Sequence, residues 1–157
     1  WFKKASEQGY VEAQINLGIM YENGQGVTQD DKQVVYWYTK AAEQGHAQAQ
    51  YNLGLMYYNG RGVTRDYKQA VYWYTKAAEQ GLAKAQYNLG FMYDNGQGVL
   101  QDKVYAHMWY NIASANGNES TGESRDRLED SMTPEDISKA TAMARECMNS
   151  DYKKCGY

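Results

Sequence analysis

Apolar residues recur along this chain at the spacing of amphipathic helices. In the stretch AQYNLGLMYYNG, four apolar positions fall at i, i+4, i+7 and i+8, which is one face of a helix. They are Ala49, Leu53, Met56 and Tyr57. Gly54 interrupts this helix at a cost of about 1 kcal/mol relative to Ala. Because Gly18 and Gly90 occupy the same place in two similar stretches, we expect a neighbouring helix to approach closely at each glycine.

A second amphipathic helix is predicted after the first. Its apolar positions fall at i, i+3, i+4 and i+7, again on one face. They are Ala70, Trp73, Tyr74 and Ala77. Asp66 with Gln69 is typical of a capping box at the start of this helix, and Gly81 suits the left-handed position just past its end.

Both helical patterns return every 36 residues, as the tryptophans show most simply. These are Trp1, Trp37, Trp73 and Trp109. A fixed period of this length indicates a solenoid, in which each helix pair buries its apolar face against its neighbours. The predicted divisions are 1–9 (second helix of a truncated repeat), 10–45, 46–81 and 82–117 (three repeats) and 118–157 (C-terminal capping helices).

The first segment is the second helix of a unit whose first helix is absent from this sequence. We therefore expect Trp1, Phe2 and Ala5 to be partly uncovered. Fraying, or cover by another molecule or by residues beyond this sequence, would accommodate the exposed side chains.

The joint between the two helices of a unit contains the glycine-rich stretch NGQGVTQD, which begins at Asn23 and returns in each copy. A dinucleotide-binding loop would need a third glycine and a preceding strand, and the sequence offers neither. We interpret the stretch as a turn in which Gly24 ends one helix and Asp30 caps the next.

The repeated pattern resembles the Sel1-like repeat family, whose members are relatives of the tetratricopeptide repeats. The resemblance covers residues 1–117. In the first copy it rests on Ala13, Leu17, Gly18, Tyr21, Gly24, Gly26 and Val27, followed by Asp30, Trp37, Tyr38, Ala41, Ala42 and Gly45. It implies an all-α, right-handed α-solenoid whose first helices line a concave surface. It also implies a role as a scaffold or adaptor that binds other proteins.

Beyond Gly117 the repeat is lost, and two further helices are predicted. Ser120 opens a capping box for a short helix that ends near Ser131, and Thr133 caps a longer helix with Pro134 at its first position. The helix before them differs from its earlier copies, because an apolar stripe replaces lysine and tyrosine. The stripe is Val104, Met108 and Ile112, in place of Lys68, Tyr72 and Lys76. We expect the terminal helix pair to cover this stripe and to act as a cap.

The candidate partner-binding residues come from comparing the three copies. Positions that vary between copies of the first helix fall almost entirely on the side opposite its core face, which the resemblance places in the concave groove. They are Glu12, Ile15, Ile19 and Glu22; Gln48, Tyr51, Leu55 and Tyr58; and Lys84, Tyr87, Phe91 and Asp94. Aromatic and aliphatic residues on a polar background are typical of a protein-binding surface. We therefore predict another protein or a peptide as the partner.

Invariant asparagines lie near the same side of each first helix. They are Asn16, Asn52 and Asn88, with Asn23, Asn59 and Asn95 at the helix ends. Two roles remain open for them, binding of a partner's backbone and capping of turns.

Composition narrows the remaining function classes. The 157 residues carry a formal net charge of −3, which gives no general reason to expect nucleic-acid binding. No apolar run reaches the length of a membrane span, so we expect no membrane insertion. His46 and His107 have no Cys or acidic residue at metal-ligand spacing. We predict no metal, no cofactor and a monomer.

The C-terminal segment raises the alternative of an enzyme. SDYK at Ser150 has the Ser-x-x-Lys spacing of penicillin-binding enzymes, and cysteine-rich members of the family have been described as β-lactam-binding. No Lys-Thr-Gly partner sequence accompanies it. We predict a non-catalytic protein, with a cell-wall-directed or β-lactam-binding hydrolase as the alternative.

The resemblance to cysteine-rich relatives also bears on Cys147 and Cys155. Those relatives pair cysteines at this spacing across a helix–turn–helix joint, so a disulfide is expected here. The alternative is a pair of reduced, buried thiols. A persistent disulfide would require an oxidising compartment, which favours the periplasm or secretion.

Overall fold

The computed structural model describes residues 2–156, with side chains from residue 4 onward. Over this range the chain forms helices and no strand, so the all-α prediction is confirmed. The helices are α1 (Phe2–Glu7), α2 (Val11–Asn23), α3 (Asp31–Glu43), α4 (Ala47–Asn59), α5 (Tyr67–Ala78), α6 (Ala83–Asn95), α7 (Lys103–Ala115), α8 (Thr121–Glu129) and α9 (Pro134–Asn149). Trp1 and the Phe2 side chain lie outside the described part, and Ala5 is half-buried.

The predicted joints are confirmed in both of their parts. Gly24 ends α2 in the left-handed conformation at φ 67°, and its N–H donates to the Met20 carbonyl. The Asp30 carboxylate then caps α3 by accepting the backbone N–H groups of Lys32 (2.9 Å) and Gln33 (3.2 Å). Gly60 and Gly96 end α4 and α6 in the same left-handed conformation. Asp66 and Asp102 then cap α5 and α7 by accepting backbone N–H groups.

The glycines inside the first helices sit where an aromatic ring passes. A Cβ on Gly18 would lie 2.6 Å from the Tyr38 ring, and one on Gly90 would lie 2.8 Å from the Tyr110 ring. Atoms at these separations overlap, so glycine is required for α2 to pack on α3 and for α6 to pack on α7. The expected close approach is confirmed at both positions.

The chain divides into two units, one ending at Trp73 and one beginning at Tyr74. In the first unit, α3 packs against both α2 and α4. Its core consists of Ile15, Val34, Tyr38, Ala41, Ala42, Ala49, Leu53 and Met56. The Gln50 amide nitrogen is buried with this core and donates to the Ala42 carbonyl at 3.1 Å, which ties the start of α4 to the end of α3.

In the second unit, α7 packs against α6, α8 and α9. Met108 and Ile112 are fully buried and Val104 is half-buried, so the predicted cover of the apolar stripe is confirmed. Thr133 caps α9 as predicted, by accepting the N–H of Asp136 at 3.1 Å.

The capping box predicted at Ser120 is wrong. Ser120 has helical backbone angles, and its side chain makes no capping hydrogen bond. The turn is organised by Asn118 instead, whose side-chain oxygen accepts the Ser120 N–H at 3.1 Å and whose carbonyl accepts the Thr121 hydroxyl at 2.7 Å.

The predicted disulfide joins Cys147, at the end of α9, to Cys155, with Cα atoms 4.5 Å apart. The tail between them folds back onto the second unit. The Tyr152 hydroxyl accepts a hydrogen bond from the Asn116 amide at 2.8 Å. The disulfide and this hydrogen bond together fix the C-terminal tail.

Candidate partner-binding face

Each first helix presents a polar stripe on the side opposite its core. Positions i, i+4, i+7 and i+11 lie on one side of a helix, and the Leu17, Leu53 and Leu89 side chains on the other side are buried. Within the first unit, we call the stripes of α2 and α4 together the first-helix face, which comprises Glu12, Asn16, Ile19 and Asn23 on α2 and Gln48, Asn52, Leu55 and Asn59 on α4. In the second unit, the corresponding positions on α6 are Lys84, Asn88, Phe91 and Asn95.

In the first unit, α2 and α4 run side by side in the same direction. At their beginnings, the His46 ring nitrogen lies 3.7 Å from the Glu12 carboxylate. At their ends, the Arg61 guanidinium lies 3.2 Å from the Glu22 carboxylate. Because the two helices are tied at both ends, their stripes form one surface within this unit.

Arg61 is the centre of a charged network at one edge of that surface. Its guanidinium also bonds the Asp31 carboxylate at 2.8 Å, and this hydrogen bond raises the pKa of Arg61. Glu22 also accepts a hydrogen bond from the Tyr38 hydroxyl at 2.8 Å. Burial first, and then the bond to Glu22, raises the pKa of Tyr38 above its ordinary value. Both oxygens of Glu22 are therefore engaged within the chain.

The candidate residues of the first unit differ in exposure. Ile19 is 36% exposed, whereas Ile15 is 7% exposed and belongs to the core cluster. The prediction that Ile15 lies on the open side is wrong, because the position varies between copies and still packs. Tyr51, Leu55 and Tyr58 are half-buried. The Tyr58 ring lies 5.4 Å from the Tyr67 ring.

In the second unit, Lys84 is exposed, and Tyr87, Asn88, Phe91 and Asp94 are half-buried. The Tyr87 ring packs 5.5 Å from the Tyr110 ring, and its hydroxyl lies 3.2 Å from the Ser124 hydroxyl of α8. Burial first, and then the nearby Asp94 carboxylate, raises the pKa of Tyr110. Tyr87 of α6 thus contacts both α7 and α8.

Three of the invariant asparagines bond within the chain. The Asn59 amide donates to the Leu55 carbonyl at 3.0 Å, and Asn95 makes the same bond on α6 at 2.9 Å. Asn52 accepts from the Gln48 amide at 2.8 Å. The structure therefore favours turn capping for Asn59 and Asn95, of the two roles that the sequence left open.

Sequence reasoning missed the polar cluster around His107. This histidine is buried on α7, with its Nε2 atom 2.7 Å from the Glu129 carboxylate of α8. Its Nδ1 atom lies 3.0 Å from the Asn111 amide nitrogen. The available signal was the departure from the repeat, because the equivalent position in both earlier copies is valine.

Among the described residues, no group of three or more His, Cys, Asp or Glu side chains could hold a metal ion. Likewise, no helix over this range is long and apolar enough to cross a membrane. His46 instead caps α4, since its Nδ1 accepts the Ala49 N–H at 3.4 Å.

Comparison with known proteins relates these repeats to a family. The Sel1 repeat model matches residues 1–10, 11–46, 47–82 and 83–118. Among solved structures, a Sel1 repeat protein from Oxalobacter formigenes is 43% identical, with a TM-score of 0.72 over 82% of this chain and 95% of that one. No match was found among the curated proteins compared.

Two further solved structures share the architecture. A protective antigen present in uropathogenic Escherichia coli strains, which displays an SLR fold, is 32% identical with a TM-score of 0.64; it covers 97% of this chain and 41% of that chain. The Helicobacter pylori cysteine rich protein B is 27% identical with a TM-score of 0.60, over 76% of this chain and 91% of that chain. The α-solenoid fold class expected from the sequence is therefore confirmed.

Proposed function

The chain belongs to the Sel1 repeat family, and we propose that this member is a non-catalytic module that binds a segment of another protein on its first-helix face. Sel1 repeat proteins are generally protein-interaction modules. We further propose that the binding site is this face and that the partner is an extended protein segment or a peptide.

The observation that carries the proposal is the paired surface of α2 and α4. Ile19 and Leu55 give it a partly exposed apolar centre, and Glu12 and Gln48 are exposed at its polar edge. Protein interfaces have this arrangement, in which an apolar centre is enclosed by a polar rim. The contact between His46 and Glu12 and the salt bridge between Arg61 and Glu22 link the two helices before a partner arrives, which reduces the entropy lost on binding.

The hydrolase alternative has less support from the side-chain contacts. The Ser150 hydroxyl of the SDYK stretch donates to the Cys147 carbonyl at 2.8 Å and accepts the Lys154 N–H at 2.9 Å. It therefore serves the turn after α9. The buried His107 has one ring nitrogen against Glu129 and the other against Asn111, so neither faces a nucleophile. These contacts favour a binding role over a catalytic one.

We further propose that the protein works in the periplasm or after secretion. A disulfide between Cys147 and Cys155 is compatible with an extracytoplasmic protein, because such bonds persist in oxidising compartments. We expect it to act as a monomer that receives one partner chain.

The test is affinity capture with charge substitutions in the apolar centre. The double variant Ile19→Glu/Leu55→Glu should lose the partner that the unaltered protein captures, because two carboxylates would be buried at the interface centre. Leu100→Glu is the matched control, since Leu100 is 90% exposed and lies outside the first-helix face. Circular dichroism would establish that both variants fold. Equal capture by the double variant and the control would overturn the proposal.

A further inference from the structure

Asparagine is followed directly by glycine at four places in this chain, at 23–24, 59–60, 95–96 and 116–117. Glycine has no side chain to shield its backbone nitrogen, so this nitrogen can attack the side-chain carbonyl carbon of the preceding asparagine. We propose that Asn23 is a site of spontaneous deamidation, whereas the asparagines at the other three places are protected by hydrogen bonds within the chain.

The reaction consumes only water. The Gly24 backbone N–H loses its proton to hydroxide, and the nitrogen forms a bond to Cγ of Asn23. The bond from Cγ to Nδ2 then breaks, and the departing nitrogen takes a proton from water and leaves as ammonia, which regenerates the hydroxide. Water opens the resulting cyclic imide at either of its carbonyls. The product is aspartate or isoaspartate at position 23.

The first three places share one backbone geometry. Each glycine ends its helix in the left-handed conformation, at φ 67° for Gly24, 68° for Gly60 and 64° for Gly96. Each also donates its N–H to the carbonyl of a methionine in the last turn of the helix. The asparagines before them are all exposed. Backbone geometry and solvent access therefore do not separate the first place from the other two.

The asparagine side chains do differ between these places. The Asn59 amide donates to the Leu55 carbonyl at 3.0 Å, and the Asn95 amide donates to the Phe91 carbonyl at 2.9 Å. The Asn23 side chain makes no hydrogen bond to any residue that the structure describes. It can therefore rotate its Cγ towards the next backbone nitrogen without breaking a bond, which the other two side chains cannot do.

The turn after α2 also leaves more room around its glycine. A Cβ on Gly24 would lie 3.7 Å from its nearest neighbouring atom, whereas one on Gly60 would lie at 3.1 Å and one on Gly96 at 3.3 Å. The last turn of the helix must open before the glycine nitrogen can reach Cγ. A less crowded turn loses fewer contacts when it opens, so this difference also favours reaction at Asn23.

The fourth place lies at the opposite extreme. The Asn116 amide donates to Gln86 Oε1 and to the Tyr152 hydroxyl, each at 2.8 Å. Two hydrogen bonds must break before this side chain can rotate, so Asn116 is the most strongly protected of the four asparagines.

Deamidation adds a carboxylate to the last turn of α2, on the first-helix face. Negative charge is unfavourable at the C-terminal end of a helix. We therefore expect the end of α2 to loosen as the modification accumulates. An effect on binding rests on the proposed function, because only a partner on this face would meet the added charge. The modification itself needs no partner, so its test remains valid if the first-helix face binds nothing.

Incubation of the full chain at mildly alkaline pH, followed by tryptic digestion and mass spectrometry, measures all four places in one sample. Cleavage after lysine and arginine puts them on separate peptides, and the change from amide to acid raises the mass of each peptide. We expect Asn23 to deamidate about fivefold faster than Asn59 and Asn95, which is the factor that one ordinary hydrogen bond provides. Asn116 should react more slowly than all three.

Two controls connect these rates to the fold. In concentrated urea the four places should react at similar rates, because the protecting hydrogen bonds are lost. Tyr152→Phe removes one of the two bonds to Asn116, so it should speed deamidation there and leave the rate at Asn23 unchanged. Equal rates at Asn23, Asn59 and Asn95 in the folded chain would overturn the inference. So would the persistence in urea of the order seen in the folded chain.

Discussion

The helices α3 and α7 occupy the same place in their repeats, yet one presents an open face and the other an internal interface. On α3 the outer stripe is Lys32, Tyr36 and Lys40, and all three side chains are exposed. On α7 it is Val104, Met108 and Ile112; the last two are fully buried, and this helix packs against α8 and α9. The core positions are nearly unchanged, so a few substitutions on one side of a helix decide whether the array continues or ends.

A second difference between the two helices concerns polar groups. Val35 and Thr39 of α3 are replaced on α7 by His107 and Asn111, and Glu129 of α8 completes the cluster. Apolar contacts alone would accept α8 on α7 in several positions. The buried His107 favours one arrangement, because a shift of α8 would leave its Nε2 atom without the Glu129 carboxylate.

The largest expected effect comes from giving α7 the lysine that α3 carries. Ile112 is fully buried, so Ile112→Lys would place an ammonium group without a partner in the interior of the second unit. We expect the free energy of unfolding to fall by about 4 kcal/mol or more. Urea denaturation followed by circular dichroism measures it. The reciprocal control Lys40→Ile on α3 should change stability by less than about 1 kcal/mol, because that side is open.

Similar losses in Ile112→Lys and Lys40→Ile would show that the two faces do not differ as described.

In the second unit, the disulfide between Cys147 and Cys155 fastens the C-terminal tail to α9. Cys147→Ser/Cys155→Ser should lower the free energy of unfolding by about 2–3 kcal/mol, from the entropy of the opened loop. The tail should also release Tyr152 from Asn116. Hydrogen exchange and the unfolding midpoint report the two effects. A midpoint that is the same with and without the disulfide would contradict this role.

A smaller effect is expected when α7 receives the valine of α3. His107→Val would leave the Glu129 carboxylate and the Asn111 amide without their buried partner. We expect a loss of about 1–2 kcal/mol. A double-mutant cycle with Glu129→Gln isolates the pair from the change in packing. A coupling free energy of zero would show that the cluster does not hold α8 on α7.

Much of this fold follows from local sequence. The helix ends are set by residues that act within a few positions, such as Gly24 in the left-handed conformation and the Asp30 cap. The interior glycines also indicated close packing, and the Tyr38 and Tyr110 rings account for it. Repetition strengthened each inference, because three copies in register leave little room for another assignment.

The errors came from contacts that no local pattern encodes. Ile15 varies between copies, and such variation predicts exposure, yet the residue is buried against the first unit's core. Ser120 has the spacing of a capping box, but Asn118 organises the turn first. The role of His107 depends on Glu129 of α8, which is 22 residues away in the sequence. In each case the deciding partner is distant or competes for the same hydrogen bond.

Binding of a protein partner to α2 and α4 can be measured by hydrogen–deuterium exchange of the full chain, with and without its captured partner. We expect slower exchange in residues 11–23 and 47–59 when the partner is bound, with α9 unaffected. Protection confined to α9 or the tail, or no change in α2 and α4, would contradict it.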